Sequence, residues 1–516
     1  MTTKSRDEIS RAHARWGKRR CWVFFKSLLA CFSLSALVLL PLWKDLLFSS
    51  TDFHHATPAS VDYLAGLVLH GIAFLGLTAA FYTFRSFSTR NRRRLGLALL
   101  SLILFSQVFN PLRHYIETNY LPRSFQHLFW FKAFLFFIGI AVLLWAQRVY
   151  FLMWRLILFS SPFSVLVVGY LLIGLIRGDG KEMAVIQGKT SSPGTSIANR
   201  VVWILFDELD FRLAFPERPK SLQLPNFDRF ASSSFRFTNA IPPSIQTLLS
   251  VPSLIDGVVY TAAFPTGSNR LMLRDSAGEL SPWGSRSNVF TDLKALGGRT
   301  AVVGWYLPYS RIFGSIVDYS HWAAYSPERF IGLGLDLPST LVAHLRGILP
   351  VVRKSLHGET QRELEVGLDQ LITDPSLQLC FLHLPAPHLP TLGGINSRNG
   401  GIDYFNDVRA YFGNLEVADG VLGRCLDAVE KSPVASNTTV IVSSDHPWRV
   451  SELYDGKSDP RVPFMVRFPG QRQGFDRGTP VRTVETRALI HRIIRATALV
   501  ESGTNSPLLE NCISGE

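Results

Sequence analysis

VVWILFDE (201–208) decides the fold of the larger part of this chain. Six apolar residues run without polar interruption into two carboxylates. That is the pattern of a strand covered on both faces and ending at the carboxyl edge of a sheet. TAVVGW (300–305), LQLCFLHL (377–384) and TTVIVSS (438–444) repeat it. Between them lie helical, amphipathic stretches such as ETQRELEVGLDQLI (359–372) and YFGNLEVADGVLGRCLDAVEK (411–431). The alternation predicts an α/β domain, a mostly parallel sheet with helices on both faces. Chemistry in such a sheet gathers where strands end.

Upstream of Arg200 the sequence changes character. The chain has 516 residues, and its apolar residues crowd into the part before Ile176, which lifts the mean hydropathy to +0.16. A helix needs about 20 mostly apolar residues to cross a hydrocarbon core. Segments 22–43, 61–84, 95–111, 129–147 and 156–176 meet that requirement, predicting an N-terminal five-helix transmembrane bundle. The first is too long an apolar run for a cleaved signal peptide. Basic clusters flank these runs: Arg15, Lys18, Arg19 and Arg20, then Arg90, Arg92, Arg93 and Arg94, then Arg148 and Arg155. Read as topology signals, they place the N-terminus in the cytoplasm and everything after five spans outside. The expected order is a basic cytoplasmic segment (1–21), spans (22–176), a Gly/Ser-rich linker (177–199) and an extracytoplasmic catalytic domain (200–516). A net charge of +13 placed this way points to a membrane and not to nucleic acid. Cys21, Cys31, Cys380, Cys425 and Cys512 form no CxxC pair, which argues against a disulfide framework or structural zinc.

Two strand ends carry chemistry. VVWILF leads into Asp207-Glu208, and TTVIVSS leads into Asp445-His446. Carboxylates and imidazole converging there suit a divalent ion, although an Asp after a strand also serves as a helix N-cap. A third piece is LPNFDRFASSSFRFTNAIPPSIQTLLSVPSLIDG (224–257): a helix, a short strand, a Pro-Pro turn, then Thr247 opening an apolar helix that stops at Gly257. Thr at a helix start is commonly a cap. It is also a nucleophile where its hydroxyl is activated, and a helix N-terminus favours an oxyanion.

Together these segments resemble the alkaline phosphatase/sulfatase superfamily. The resemblance rests on a strand ending in Asp, PNxDRxAxxxxxFTNA, a nucleophile ten residues before a Gly, SSDH and VPFMVRFPG, in that order between Arg200 and Gly470. It implies a metal-dependent enzyme of phosphate or sulfate esters, with Asp207, Thr247, Asp445 and His446 as metal ligands and Thr247 as nucleophile. Sulfatases carry Cys or Ser within C/S-x-P-S-R at that position, and TLLSV stands here, which argues against classical sulfatase activity. The Thr, the spans and Ser-Asp-His look more like lipoteichoic acid synthases and phosphoethanolamine transferases. Those begin the site with Glu and follow the late His with Gly, where this chain has Asp207 and Pro447.

His388, in HLPAPHLP, resembles the superfamily's substrate-contacting His after the central strand, and the resemblance gives it a catalytic role. Trp305, Arg449 and Glu208 are further candidates for substrate contact. His383, within a strand, reads more as a packed residue than as a site residue. Asp419 sits mid-helix among apolar neighbours, which a solvated face explains as well, and Glu208 reads either as an extra ligand or as a residue pointing to water. The implied cofactor is a divalent ion (Zn, Mn or Mg, with Ca less suited), and the implied partners are a membrane and a lipid or envelope-glycan substrate. Three readings stay open: transfer of a phospho-group from a lipid donor, hydrolysis of phosphate or sulfate esters, and an inactive ectodomain used for binding.

Overall fold

The computed structural model describes residues 3–48, 53–54, 57–86, 155–177, 199–323, 331, 336–348, 358, 360–389 and 408–496. The chain divides into two compact units, one of residues 1–47, 58–179 and 335–348, the other of 48–57, 180–334 and 349–516.

The described residues of the first unit are mainly helical. Thr3–Val38, Ser60–Ser86 and Ser161–Arg177 pack on one another, and Leu337–Ile348 packs on Ser60–Ser86. Among the described residues, two stretches are long and apolar enough to cross a membrane, Cys21–Val38 and Ser60–Thr83. Ser161–Arg177 is apolar but spans 17 residues. The expected first span, 22–43, is interrupted: one helix ends at Val38 and another begins at Leu40, where Pro41 fits an initial turn but not a helix interior. The expected spans 95–111 and 129–147, and most of the linker, lie outside the described residues. Glycine permits close helix contact here, since a Cβ on Gly174 would sit 2.4 Å from the Tyr63 ring. Among the described residues, Ile72, Leu75, Leu166 and Ile176 are exposed apolar side chains.

The second unit is built on an eight-stranded sheet. Its order is Phe475–Arg477, Phe235–Phe237, Phe464–Arg467, Thr438–Ser444, Arg200–Asp207, Leu379–Pro387, Thr300–Trp305 and Tyr319–Ala323. The last five run parallel, and Phe464–Arg467 is antiparallel to both its neighbours. Strand alternation divides the apolar residues between two cores. Val201, Trp203 and Leu205 enter one, while Val202, Ile204 and Phe206 enter the other. Helices Thr247–Asp256 and Thr486–Arg495 cover the first core, and Val408–Lys431 covers the second. The expected sheet, four of its strands and the double helical cover are thus observed.

Gly367 divides the expected helix 359–372, taking φ 82° before a new helix at Leu368–Thr373. Asp419 does not lie on a solvated face. It is buried and accepts hydrogen bonds from the backbone N–H groups of Asn226 and Phe227 (2.9 and 2.8 Å) and from the Asn226 amide (2.8 Å). It therefore caps the neighbouring helix Pro225–Ala231, whose own N-cap residue, Leu224, supplies no side-chain acceptor.

Candidate active site

Asp207 and Asp445 emerge side by side because their strands pair in register, Phe206 opposite Ser444. Asp445 spends one oxygen locally: Oδ1 accepts from the N–H groups of His446 (2.8 Å) and Glu208 (3.2 Å). Among the described residues its Oδ2 is buried without a hydrogen-bond partner, and so is Oδ1 of Asp207. His446 supplies the third side. Its Nδ1 donates to the Pro447 carbonyl (2.9 Å), which leaves the Nε2 lone pair facing inward. That nitrogen lies 3.1 Å from Thr247 Oγ1, 3.4 Å from Asp445 Oδ2 and 3.7 Å from Asp207 Oδ1.

Thr247 is the first residue of helix Thr247–Asp256, after the N-cap Gln246, and its hydroxyl does not cap the helix. No side chain caps that N-terminus, so its backbone dipoles point at the same space. The two nearby serines are engaged elsewhere. Ser250 Oγ donates to the Asp445 carbonyl (2.5 Å), and Ser244 Oγ accepts from the Gln246 N–H (3.2 Å). Asp207, Thr247, Asp445 and His446 are therefore brought together.

His383 joins them, against its reading as packed strand filler. Buried it is, but Nε2 has no hydrogen-bond partner among the described residues and lies 3.8 Å from Asp207 Oδ2. Asp207, His383 and Asp445 each offer an atom to a group whose members all lie within 4.8 Å of one another. Converging buried acceptors without donors are costly, and a cation resolves all of them at once. These residues fit a divalent metal ion. Burial first, then the carboxylates of Asp445 and Glu208, push Asp207 well above the usual carboxylate range despite Arg449. Burial pulls His383 down to about 4, so its ring is neutral and able to ligate.

Beside this group lies a second one. Arg449 Nε binds Glu208 Oε1 at 2.5 Å, and Arg449 Nη2 donates to His388 Nε2 at 3.2 Å. His388 Nδ1 donates to the Leu389 carbonyl, and the Trp305 ring packs edge-on against the imidazole at 5.2 Å. Burial would raise the Glu208 carboxyl, but His388, Arg449 and His446 outweigh it and hold the group ionised. Burial depresses His388. Glu208 is neither a solvent-facing residue nor within the group that faces the orphaned Asp207 and Asp445 oxygens. It takes φ 64°, a left-handed conformation costly for a residue with a Cβ. Tyr411 holds it there, its hydroxyl donating to the Glu208 carbonyl (2.8 Å) and accepting from the Asp210 N–H (3.1 Å). One turn on, the Asn414 amide donates to the Pro387 and His388 carbonyls (3.3 and 3.0 Å), so one helix fixes both rims. Nothing in the sequence pattern distinguishes Tyr411 and Asn414 from ordinary helix residues.

The sulfatase family model matches residues 199–494, more than half of the chain. The chain belongs to the sulfatase family. With that assignment it falls in the alkaline phosphatase/sulfatase superfamily. Among solved structures it is similar to Ps i-CgsB (16% identity over 58% of this chain and 72% of that one, TM-score 0.42). It is also similar to an alkaline phosphatase superfamily protein from Vibrio parahaemolyticus (14%, 60% and 69%, 0.36) and to the phosphonate monoester hydrolase of Agrobacterium radiobacter (14%, 57% and 73%, 0.40). No curated protein matches the chain.

Proposed function

We propose that this sulfatase-family chain is a membrane-anchored phosphotransferase that moves a phospho-group from a lipid donor through Thr247. The observation that carries the reading is the Thr247 hydroxyl, 3.1 Å from His446 Nε2 at an uncapped helix N-terminus beside two unpaired carboxylate oxygens. Asp207, Thr247, Asp445 and His446 would hold a divalent ion, whose chemistry is to acidify a hydroxyl and polarise a phosphate oxygen. Thr247 Oγ attacks phosphorus, the ester bond to the leaving group breaks, and a phosphothreonine forms. In the second half the acceptor hydroxyl displaces Thr247. His388 serves that step as a base: its Nδ1–H is committed to Leu389, and the Nε2 lone pair, which accepts from Arg449 at rest, takes the proton once the acceptor hydroxyl displaces that donor. Arg449, half neutralised by Glu208, and Trp305 orient the substrate's oxygens and its apolar part.

The cytoplasmic N-terminus and five spans complete the proposal, because they would set the site at the outer leaflet. Reporter fusions at Arg94 and Gly194 should then give opposite signals, and a cytoplasmic signal at Gly194 defeats the lipid-donor reading. Mass spectrometry of lipids and surface glycans with and without the gene separates transfer from hydrolysis. A phospho-modified acceptor that vanishes with the gene supports transfer. Free phosphate or sulfate as sole product supports hydrolysis, and no change at all supports a binding ectodomain.

A further inference from the structure

We infer that His383 is an additional ligand of the cation and that Tyr309 positions it, an inference resting on the metal site proposed above. Three observations meet at this ring. Register sets His383 opposite Leu205, two residues before Asp207, so both side chains leave the sheet on the same face. Its Nε2 is buried, without a hydrogen-bond partner among the described residues, and lies 3.8 Å from Asp207 Oδ2. On its other side, Nδ1 lies 2.7 Å from the hydroxyl of Tyr309, itself fully buried.

Donor and acceptor accounting then gives Tyr309 a task. A ligating Nε2 must present its lone pair, so Nδ1 must carry the proton and needs an acceptor. The Tyr309 oxygen, 2.7 Å from Nδ1, is such an acceptor. Ligating histidines are held in this way by a partner on the far nitrogen. His446 uses the Pro447 carbonyl for the same purpose. Tyr309 owes its position to a glycine. Gly304 pairs with His383 across the sheet, and a Cβ there would lie 2.4 Å from Tyr309 Cε2 and 3.1 Å from His383 Cβ. The tyrosine ring lies over that bare backbone and meets the imidazole edge-on. Leu307 fixes the start of its helix, its carbonyl accepting from the Tyr309 N–H at 2.8 Å. With two imidazoles and two carboxylates, the site suits Zn or Mn better than Mg or Ca, which prefer an all-oxygen shell.

The test uses the full chain in detergent, stripped of metal and titrated with Mn²⁺ and Zn²⁺. Pulsed electron paramagnetic resonance of the Mn²⁺-loaded wild type should show nitrogen couplings from two imidazoles, and His383→Gln should remove one. Tyr309→Phe should weaken Zn²⁺ binding by about 10- to 100-fold, so that Zn²⁺ raises its melting temperature by less than it raises that of the wild type. Gly304→Ala, which deletes no polar atom, should weaken binding in the same direction. Coupling from a single imidazole in the wild type overturns the inference. So does a Tyr309→Phe protein that binds Zn²⁺ with wild-type affinity or is destabilised equally with and without metal, the mark of a packing role. Asp445→Asn separates the two levels. If it loses metal while His383→Gln and Tyr309→Phe do not, only this inference fails; if it too retains metal, the site itself is wrong.

Discussion

Replacing Tyr411 with Phe isolates one hydroxyl that braces the candidate site. The ring lies flat on Trp448 with centroids 4.0 Å apart and 4° between planes, a contact that phenylalanine keeps. What disappears is the donor to the Glu208 carbonyl and the acceptor for the Asp210 N–H, both buried. Each group left unpaired costs about 1–3 kcal/mol. The left-handed Glu208, worth roughly 1–3 kcal/mol of strain, also loses the bond that holds it. Local relaxation recovers part of this, and a net loss of about 2–4 kcal/mol is expected. In a domain of this size that lowers the melting temperature by roughly 3–6 °C. Thermal unfolding of the full chain, followed by tryptophan fluorescence, measures it. A shift of less than about 2 °C would show that water or a neighbour replaces the hydroxyl and that Glu208 needs no brace.

Three further outcomes follow from burial and packing. Burial raises the Asp256 carboxyl to about 7, while Tyr260 donates to it at 2.7 Å. The folded state thus holds a proton that the unfolded chain, with an ordinary carboxyl near 4, has released. Stability is therefore lost as pH rises from about 4 to about 7, by at most ~1.4 kcal/mol per unit. Asp256→Asn should flatten that slope in melts taken across the range, and an unchanged slope refutes the assignment. Gly423 and Gly420 share a helix but differ in space. A Cβ on Gly423 would lie 2.7 Å from the Asn226 amide that binds Asp419, whereas one on Gly420 meets nothing within 4 Å. Gly423→Ala should cost about 1–3 kcal/mol and Gly420→Ala should stabilise by about 0.5–1 kcal/mol; equal effects in denaturant titrations contradict the packing described. Thr247→Ala should abolish turnover of an aryl phosphodiester with little loss of stability, since the hydroxyl does not cap the helix, and Thr247→Ser should keep partial activity.

The sheet was legible because burial on both faces demands continuous apolar strands, and VVWILF and TTVIVSS show them without ambiguity. That Asp207, Thr247, Asp445 and His446 would converge was legible because each stands at the end or start of such an element. His383 was not, since one imidazole inside an apolar run looks like core. The available clue was parity: with Leu379 and Phe381 facing one core, residue 383 leaves on that same face, as Asp207 does. Asp419 misled for the opposite reason, because the helix it caps comes from a segment nearly two hundred residues earlier. Tyr309 and Tyr411 act through partners 74 and 203 residues away, a relation that no local pattern records.

The central claim is that Thr247 carries the phospho-group, and acid-quenched turnover of an aryl phosphodiester by the full chain, followed by peptide sequencing, tests it most directly. The account predicts phosphate on Thr247, trapped in the wild type and absent from Thr247→Ala. Phosphate on Ser244 or Ser250 instead, or wild-type turnover by Thr247→Ala, would contradict it.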